Sequence, residues 1–164
     1  MSNITNATGS NPPGPGHVRR PVVAALGDDN HHDFGVGPAV LRHLRGRGLD
    51  LTLVNCDAEE PALVDFSPGG DPVIVVDPVH AEPCHPGRVH RFVMSRPDDA
   101  GTLVVFAVET GDTASGAGLS PAVAAAARRV ADAIAAEIGA TRSPAVELAA
   151  QWSSAHRNYR TGRR

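Results

Sequence analysis

The sequence predicts a single-domain α/β fold, a three-layer sandwich in which a twisted, mostly parallel sheet carries helices on both faces. Unbroken apolar runs at 22–26, 73–76 and 103–108 predict strands that are buried on both faces, as strands of parallel sheets are. Segments with helical patterns lie between and after these runs. A length of 164 residues suits one domain with a sizeable core.

The first half of the chain has the pattern of a βαβ unit. The first predicted strand, Val22–Leu26, ends at a glycine and leads through a polar loop into a predicted helix, Pro38–Arg47. Proline suits the first turn of this helix, and glycine follows its end. A second strand is predicted at 51–54, and a short helix at 59–66.

The second half contains the strongest strand and helix signals. Four β-branched residues in a row predict that Val73–Asp77 is a central, doubly buried strand. An alternating segment at 88–94 predicts an edge strand, and a further buried strand follows at 103–108. A long helix begins at Pro121, and its apolar stripe ends at Gly139.

Both ends of the chain are polar. Residues 1–20 predict a disordered arm, because they cannot bury enough apolar surface to offset the entropy cost of ordering. The predicted domain covers residues 21–157, and a further short helix fits residues 144–158. Residues 158–164 are read as an Arg-rich, solvated tail.

Composition excludes several classes of function. The formal net charge is −3 and no block of like charge occurs, which argues against a nucleic-acid-binding surface. No apolar stretch approaches the ~20 residues that span a bilayer, so no membrane partner is expected. The N-terminus lacks the pattern of a secretory signal, which predicts a cytoplasmic location. The two cysteines, Cys56 and Cys84, form no disulfide framework.

Acidic and imidazole side chains follow three of the predicted strands. In a mostly parallel sheet these loops gather at one edge, where α/β proteins bind their ligands. A carboxylate that ends an apolar strand needs partners or water, although a plain capping or turn role stays open for Asp77. The groups that follow the three strands are Asp28, Asp29, His31, His32 and Asp33; Asp77 and His80; and Glu109 and Asp112.

Histidines are candidate metal ligands, since imidazole suits zinc, nickel and iron. His31 and His32 are adjacent and therefore point in different directions, and His80, Cys84 and His85 lack a recognisable zinc-site spacing. Most of the eight histidines are read as surface residues. The glycine pattern of dinucleotide sites, the lysine-containing phosphate loop and the Gly-x-Ser-x-Gly elbow of hydrolases are all absent from the sequence.

Three short motifs occur in the order and at the spacing of one protein family. They are Gly27 and Asp28 followed after four residues by Asp33–Pro38; Val75–Pro78 followed by Pro86–Phe92; and Val108–Glu109 followed by Gly118–Val123. Across residues 21–139 the chain resembles the hydrogenase maturation proteases, the endopeptidases that remove the C-terminal extension of [NiFe] hydrogenase large subunits.

The resemblance implies an endopeptidase whose partner is a nickel-loaded [NiFe] hydrogenase large-subunit precursor. In that family, acidic and imidazole groups contact the nickel of the substrate, which serves as a checkpoint and as a Lewis acid for peptide hydrolysis. The resemblance makes Asp77 the catalytic, metal-facing carboxylate, with Asp33 and His32 as further metal-contacting candidates. Nickel is then met in the substrate, and the free protein holds no cofactor of its own.

Two features of the family are missing from this chain. With the glycines aligned, Phe34 stands where the family has a metal-contacting carboxylate, and residues 95–102 are too few for its histidine-bearing helix. A second hypothesis is therefore a degenerate relative that binds the precursor or an assembly factor without cutting it. A third is an unrelated metal-binding or small-molecule enzyme. The histidines considered as replacements are His31, His32, His80 and His85.

Overall fold

The computed structural model describes residues 20–56, 72–95 and 101–141, which form one five-stranded sheet and two α-helices. A 3₁₀ turn at His32–Gly35 leads from the first strand into the first helix. The elements in chain order are β1 (Val22–Leu26), α1 (Val36–Arg45), β2 (Thr52–Cys56), β3 (Val73–Val79), β4 (Val89–Ser95), β5 (Thr102–Glu109) and α2 (Pro121–Thr141).

The sheet has the strand order β2-β1-β3-β5-β4. β1 pairs in parallel with β2 and β3, and β3 pairs in parallel with β5, so the carboxyl ends of these four strands lie at one edge. β4 is antiparallel to β5 and occupies the outer edge. The mostly parallel α/β fold predicted from the apolar runs is confirmed, as is the edge strand predicted from the alternating segment.

The two central strands are buried on both faces, as their β-branched sequences predict. Ile74 and Val76 of β3 belong to the main core cluster, together with alternate residues of β1 and β5. Val73 and Val75, which point to the opposite face, are buried as well. Burial of both faces explains why the runs are continuous rather than alternating.

Both described helices pack on the same face of the sheet. Leu41 and Leu44 of α1 and Ile134 of α2 join one core cluster with Ile74 and Val76 of β3. The helices predicted at 59–66 and 144–158, which would supply the second helical layer, lie outside the described residues, as do nearly all of the predicted arm and the whole predicted tail. None of the described helices is long and apolar enough to cross a membrane.

Three predicted helix limits are wrong by about two residues, and one of them is the end of α1, which lies at Arg45 rather than Arg47. α1 begins at Val36 rather than Pro38, because the 3₁₀ turn before it already supplies helical backbone. α2 continues past Gly139 to Thr141. A glycine inside a helix costs only about 1 kcal/mol relative to alanine, so it does not by itself end a helix that is packed along its length.

Candidate functional site

A cleft of about 630 Å³ lies at the carboxyl ends of the parallel strands. It draws residues from the loops that follow β1, β3 and β5, which are the three loops that the sequence singled out. The cleft is larger than a second cavity, of about 240 Å³, which Pro21, Ile74 and Val104 help to line. Its lining residues are Gly27, Asp28, His31, Phe34, Pro78, His80, Thr110 and Thr113.

Gly27 allows the loop after β1 to fold back against the strand end. Its φ angle is +118°, a backbone conformation that residues with a side chain rarely adopt. A Cβ at this position would overlap the carbonyl oxygen of Phe34. The glycine therefore lets the 3₁₀ turn lie directly on the end of β1, where Gly27 and Phe34 both line the cleft.

Asp33 ties the first loop to the loop between β5 and α2. Its Oδ2 accepts hydrogen bonds from the backbone N–H groups of Gly111 at 3.1 Å and Asp112 at 3.2 Å, and from the Ser120 hydroxyl at 3.0 Å. Its Oδ1 accepts one from the Ser120 N–H at 2.7 Å. The carboxylate is buried and both of its oxygens accept hydrogen bonds, so the geometry favours a positioning role over the metal contact that the resemblance implied.

Two opposing effects act on the Asp33 carboxyl. Burial raises its pKa, but the hydrogen bonds from Ser120, Asp112 and Gly111 together outweigh burial and hold the pKa below its ordinary value of 3.8. Asp33 is therefore ionised at neutral pH, and its charge is stabilised by the donors that it connects.

His32 is held against the loop between β5 and α2 and does not line the cleft. Its backbone N–H donates to the Gly116 carbonyl at 2.8 Å, and its Nδ1 donates to the Gly118 carbonyl at 3.2 Å. The imidazole packs so closely over Gly116 that a Cβ there would overlap the ring. Its φ angle of 41° is uncommon for a residue with a side chain. These contacts favour a structural role for His32 over metal contact.

His31, and not His32, presents its imidazole to the cleft. Its Nδ1 donates to the Asp28 carboxylate at 2.9 Å, and Asp28 lines the cleft beside it. Asp28 also accepts from the backbone and side-chain N–H groups of Asn30, each at 2.9 Å. The backbone N–H of Asn30, followed by the His31 ring, lowers the pKa of Asp28.

Asp77 lies at the carboxyl end of β3, one residue before Pro78, which lines the cleft. Side chains alternate along a strand, so Asp77 points to the face of Val73 and Val75 and is not itself a lining residue. The carboxylate is partly buried, and burial raises its pKa above 3.8. Among residues 20–56, 72–95 and 101–141 it has no hydrogen-bond or ion-pair partner, so the resting protein leaves its charge uncompensated there.

The remaining residues that the resemblance singles out lie in different places. Phe34, which the resemblance places at the position of a metal-contacting carboxylate, lines the cleft. His80 also lines the cleft and is largely exposed. His85 lies instead beside Glu109. Residues 96–100, part of the segment that is too short for the histidine-bearing helix of the family, lie outside the described part of the chain.

Glu109 forms a buried charge cluster that the sequence did not reveal. Its Oε2 accepts the backbone N–H of His85 at 2.7 Å, and its Oε1 accepts Nε2–H of His90 at 2.8 Å. The Arg88 guanidinium lies 3.8 Å from Oε1. The sequence marked Glu109 as a strand-end acid, but its partners come from the antiparallel strand β4 and the loop before it, which only the fold brings close.

We expect Glu109→Gln to lower the midpoint of thermal unfolding at pH 7 by several degrees. The His90 and His85 bonds, helped by Arg88, hold the pKa of Glu109 below its ordinary value of 4.5. A depressed folded-state pKa adds stability above the unfolded-state pKa, and this stability is lost as pH falls through the folded value. Calorimetry of the wild type and Glu109→Gln from pH 7 to pH 3 checks the prediction. A difference between their unfolding midpoints that grows as the pH falls would contradict it.

The donors around the cleft do not make a complete metal site. Within the described residues, no group of three His, Cys, Asp or Glu side chains is arranged to hold a metal ion. The lining offers carboxylate and imidazole donors, which suit nickel chemically, but too few of them converge to retain a free ion.

Neither a protein-family model nor a curated protein sequence matches the chain. Solved structures of similar fold do. The [NiFe] hydrogenase maturation protease HybD from Thermococcus kodakarensis superimposes with a TM-score of 0.60 at 17% identity, over 73% of this chain and 98% of that one. Hydrogenase maturating endopeptidase HybD from E. coli gives a TM-score of 0.61 at 16% identity, over 74% and 93%.

A third similar structure is the hydrogenase 2 maturation peptidase from Thaumarchaeota archaeon SCGC_AB-539-E09. It superimposes with a TM-score of 0.60 at 19% identity, over 73% of this chain and 98% of that one. The chain therefore has the fold of the hydrogenase maturation proteases, over almost the whole length of these relatives. The fold expected from the three sequence motifs is confirmed.

Proposed function

We propose that this protein is a divergent endopeptidase of the hydrogenase maturation type, which removes the C-terminal extension of a nickel-loaded [NiFe] hydrogenase large-subunit precursor. The observation that carries the proposal is the position of the cleft. In a fold shared with solved maturation proteases, polar loops from β1, β3 and β5 converge on a single opening. Ligands of open α/β sheets bind at this edge.

The chemistry of the site fits a metal that arrives with the substrate. Nickel bound in the precursor acts as a Lewis acid toward the peptide bond. Asp77 is proposed as the carboxylate that contacts it, because its charge lacks a partner among the described residues and its chain neighbour Pro78 lines the cleft. Asp33, bonded to the loop between β5 and α2, supports the cleft by holding two of its loops together.

The second candidate is a relative that binds the precursor without cutting it. Phe34 favours it, because an aromatic ring lines the cleft where the family alignment has a carboxylate. Phenylalanine cannot coordinate a metal, so a donor is lost at that position. The same ring leaves an open cleft of about 630 Å³, which is within the usual size range of ligand-binding sites.

Cleavage of a purified precursor tests the proposal. The protein is incubated with nickel-loaded and nickel-free large-subunit precursor, and intact mass spectrometry follows the C-terminal peptide. We expect loss of the peptide from the loaded form only. If the protein binds the precursor stably and the masses of the loaded and nickel-free precursors stay unchanged, the second candidate is favoured. Absence of both binding and cleavage would refute the two candidates together.

A further inference from the structure

The loop after β1 builds an oriented imidazole at the cleft. His31 Nδ1 lies 2.9 Å from Asp28 Oδ2, and the two side chains line the same opening. The backbone of His31 is fixed as well, because its N–H donates to the Asp28 carbonyl at 3.3 Å and its carbonyl accepts from Phe34 at 2.9 Å. A bridge to Gly116 holds the residue from the other side.

The Asp28 bond decides which ring nitrogen is available. A carboxylate only accepts hydrogen bonds, so Nδ1 of His31 carries a proton, and in the neutral ring Nε2 is the nitrogen with the lone pair. An acid on one imidazole nitrogen with a free lone pair on the other is the arrangement that orients metal-bound histidines in proteins. Asn30 holds the Asp28 carboxylate in place through two further bonds at 2.9 Å, so the arrangement does not depend on the bound metal.

The cleft is suited to contact a metal ion that a partner already holds rather than to bind a free ion. His31 and His80 are the imidazoles on its lining, and no three-ligand group exists in the described ranges. One or two nitrogen donors bind a bare divalent ion weakly, but they complete the coordination of an ion that a partner already holds with its own ligands. His31 therefore suits contact with a metal delivered by the substrate.

We propose that His31, oriented by Asp28, contacts the nickel of the loaded precursor and lets the protein distinguish loaded from nickel-free substrate. The inference rests on the proposed function and adds to it a metal-contacting residue. Imidazole here takes over the donor role that Phe34 cannot fill. Asp28 acts as a positioning residue through its bond to Nδ1.

Binding measurements with matched variants test the inference. Dissociation constants for nickel-loaded and nickel-free precursor are measured by biolayer interferometry at 4 °C. The proteins are the wild type, His31→Gln, Asp28→Asn and His43→Gln. His43 is an exposed histidine on α1 that does not line the cleft, so it controls for loss of an imidazole in general.

We expect the wild type and His43→Gln to prefer the loaded precursor by about tenfold or more, since a ligand's supporting shell alone changes metal affinity by about 10–100-fold. His31→Gln should bind both forms with the wild type's nickel-free affinity, which also shows that the variant is folded. Asp28→Asn should keep only part of the preference.

Other results overturn the inference. If His31→Gln prefers the loaded precursor as strongly as the wild type does, the inference is wrong. This holds even if that variant no longer cleaves, because His31 would then act in a step after binding. A wild type that binds both forms equally also overturns it, while leaving precursor binding intact. A wild type that binds neither form refutes the proposed function itself.

Discussion

Asp77→Asn is expected to stop precursor processing while making the protein slightly more stable. The amide keeps the size of the side chain but removes the charge that would contact nickel. Because loss of even an outer partner of a metal ligand costs about 10–100-fold, we expect the rate to fall at least about 100-fold. The rate is measured from initial cleavage of loaded precursor by intact mass.

The stability gain follows from the surroundings of Asp77. Burial raises its pKa above 3.8, and no group in the described ranges compensates its charge. The ionised carboxylate therefore disfavours folding at neutral pH, and this cost disappears as pH falls through the raised folded value toward 3.8. Asp77→Asn should gain about 0.5–1 kcal/mol at pH 7 and lose that gain near pH 3.

Asp132→Asn is the matched control for Asp77→Asn. Asp132 is an exposed acid on α2 that is paired with Arg47 at 2.7 Å and does not line the cleft. Its variant should process precursor at the wild-type rate. If Asp77→Asn also processes normally, Asp77 has no part in the reaction. If it unfolds more readily than the wild type, Asp77 is a structural capping residue, the plain alternative that the sequence left open.

Asp33→Ala is expected to destabilise the protein by about 3–5 kcal/mol. The substitution leaves the N–H groups of Gly111, Asp112 and Ser120 and the Ser120 hydroxyl without their acceptor. Each buried donor without a partner costs about 1–3 kcal/mol, and some relaxation of the loop reduces the sum. Urea unfolding monitored by circular dichroism at pH 7 gives the difference directly.

The pH dependence separates this account from simple loss of packing. The folded-state pKa of Asp33 is depressed, so its contribution is present above 3.8 and is lost as pH falls through the folded value. The difference in free energy of unfolding between the wild type and Asp33→Ala should therefore become smaller in acid. Asp29→Ala, in the same loop, removes only an exposed pair with Arg42 and should cost at most about 1 kcal/mol. Equal losses for the two variants would contradict the role given to Asp33.

The architecture could be predicted from the sequence because its signals are local. The run of β-branched residues at Val73–Val76 needs burial on both faces, which a parallel sheet provides. The alternating β4 segment correctly indicated an edge. Helix ends were predicted less well, since α2 runs past Gly139, a residue that lowers helix propensity by only about 1 kcal/mol relative to alanine.

The functional loops were predicted correctly as a region, but not residue by residue. His31 and His32 are neighbours of the same type, and only the turn geometry decides that His31 lines the cleft while His32 packs on Gly116. Asp33 was a candidate metal-contacting residue because the sequence does not show its hydrogen-bond donors, which lie 78 to 87 residues further along the chain. The hydrogen bond between the Asp28 and His31 side chains is a short-range contact. The spacing of three residues between an acid and a histidine in a polar loop could have indicated it.

Site-specific photocrosslinking tests most directly the claim that the cleft receives the precursor's C-terminal region. A photoreactive amino acid is placed at the position of Thr113, on the cleft lining, or of Met94, exposed on the edge strand β4. Each protein is irradiated with nickel-loaded precursor, and the joined peptide is identified by mass spectrometry. The account predicts that the Thr113 position captures the C-terminal segment of the precursor and the Met94 position does not. Capture of that segment at Met94, with none at Thr113, would contradict it.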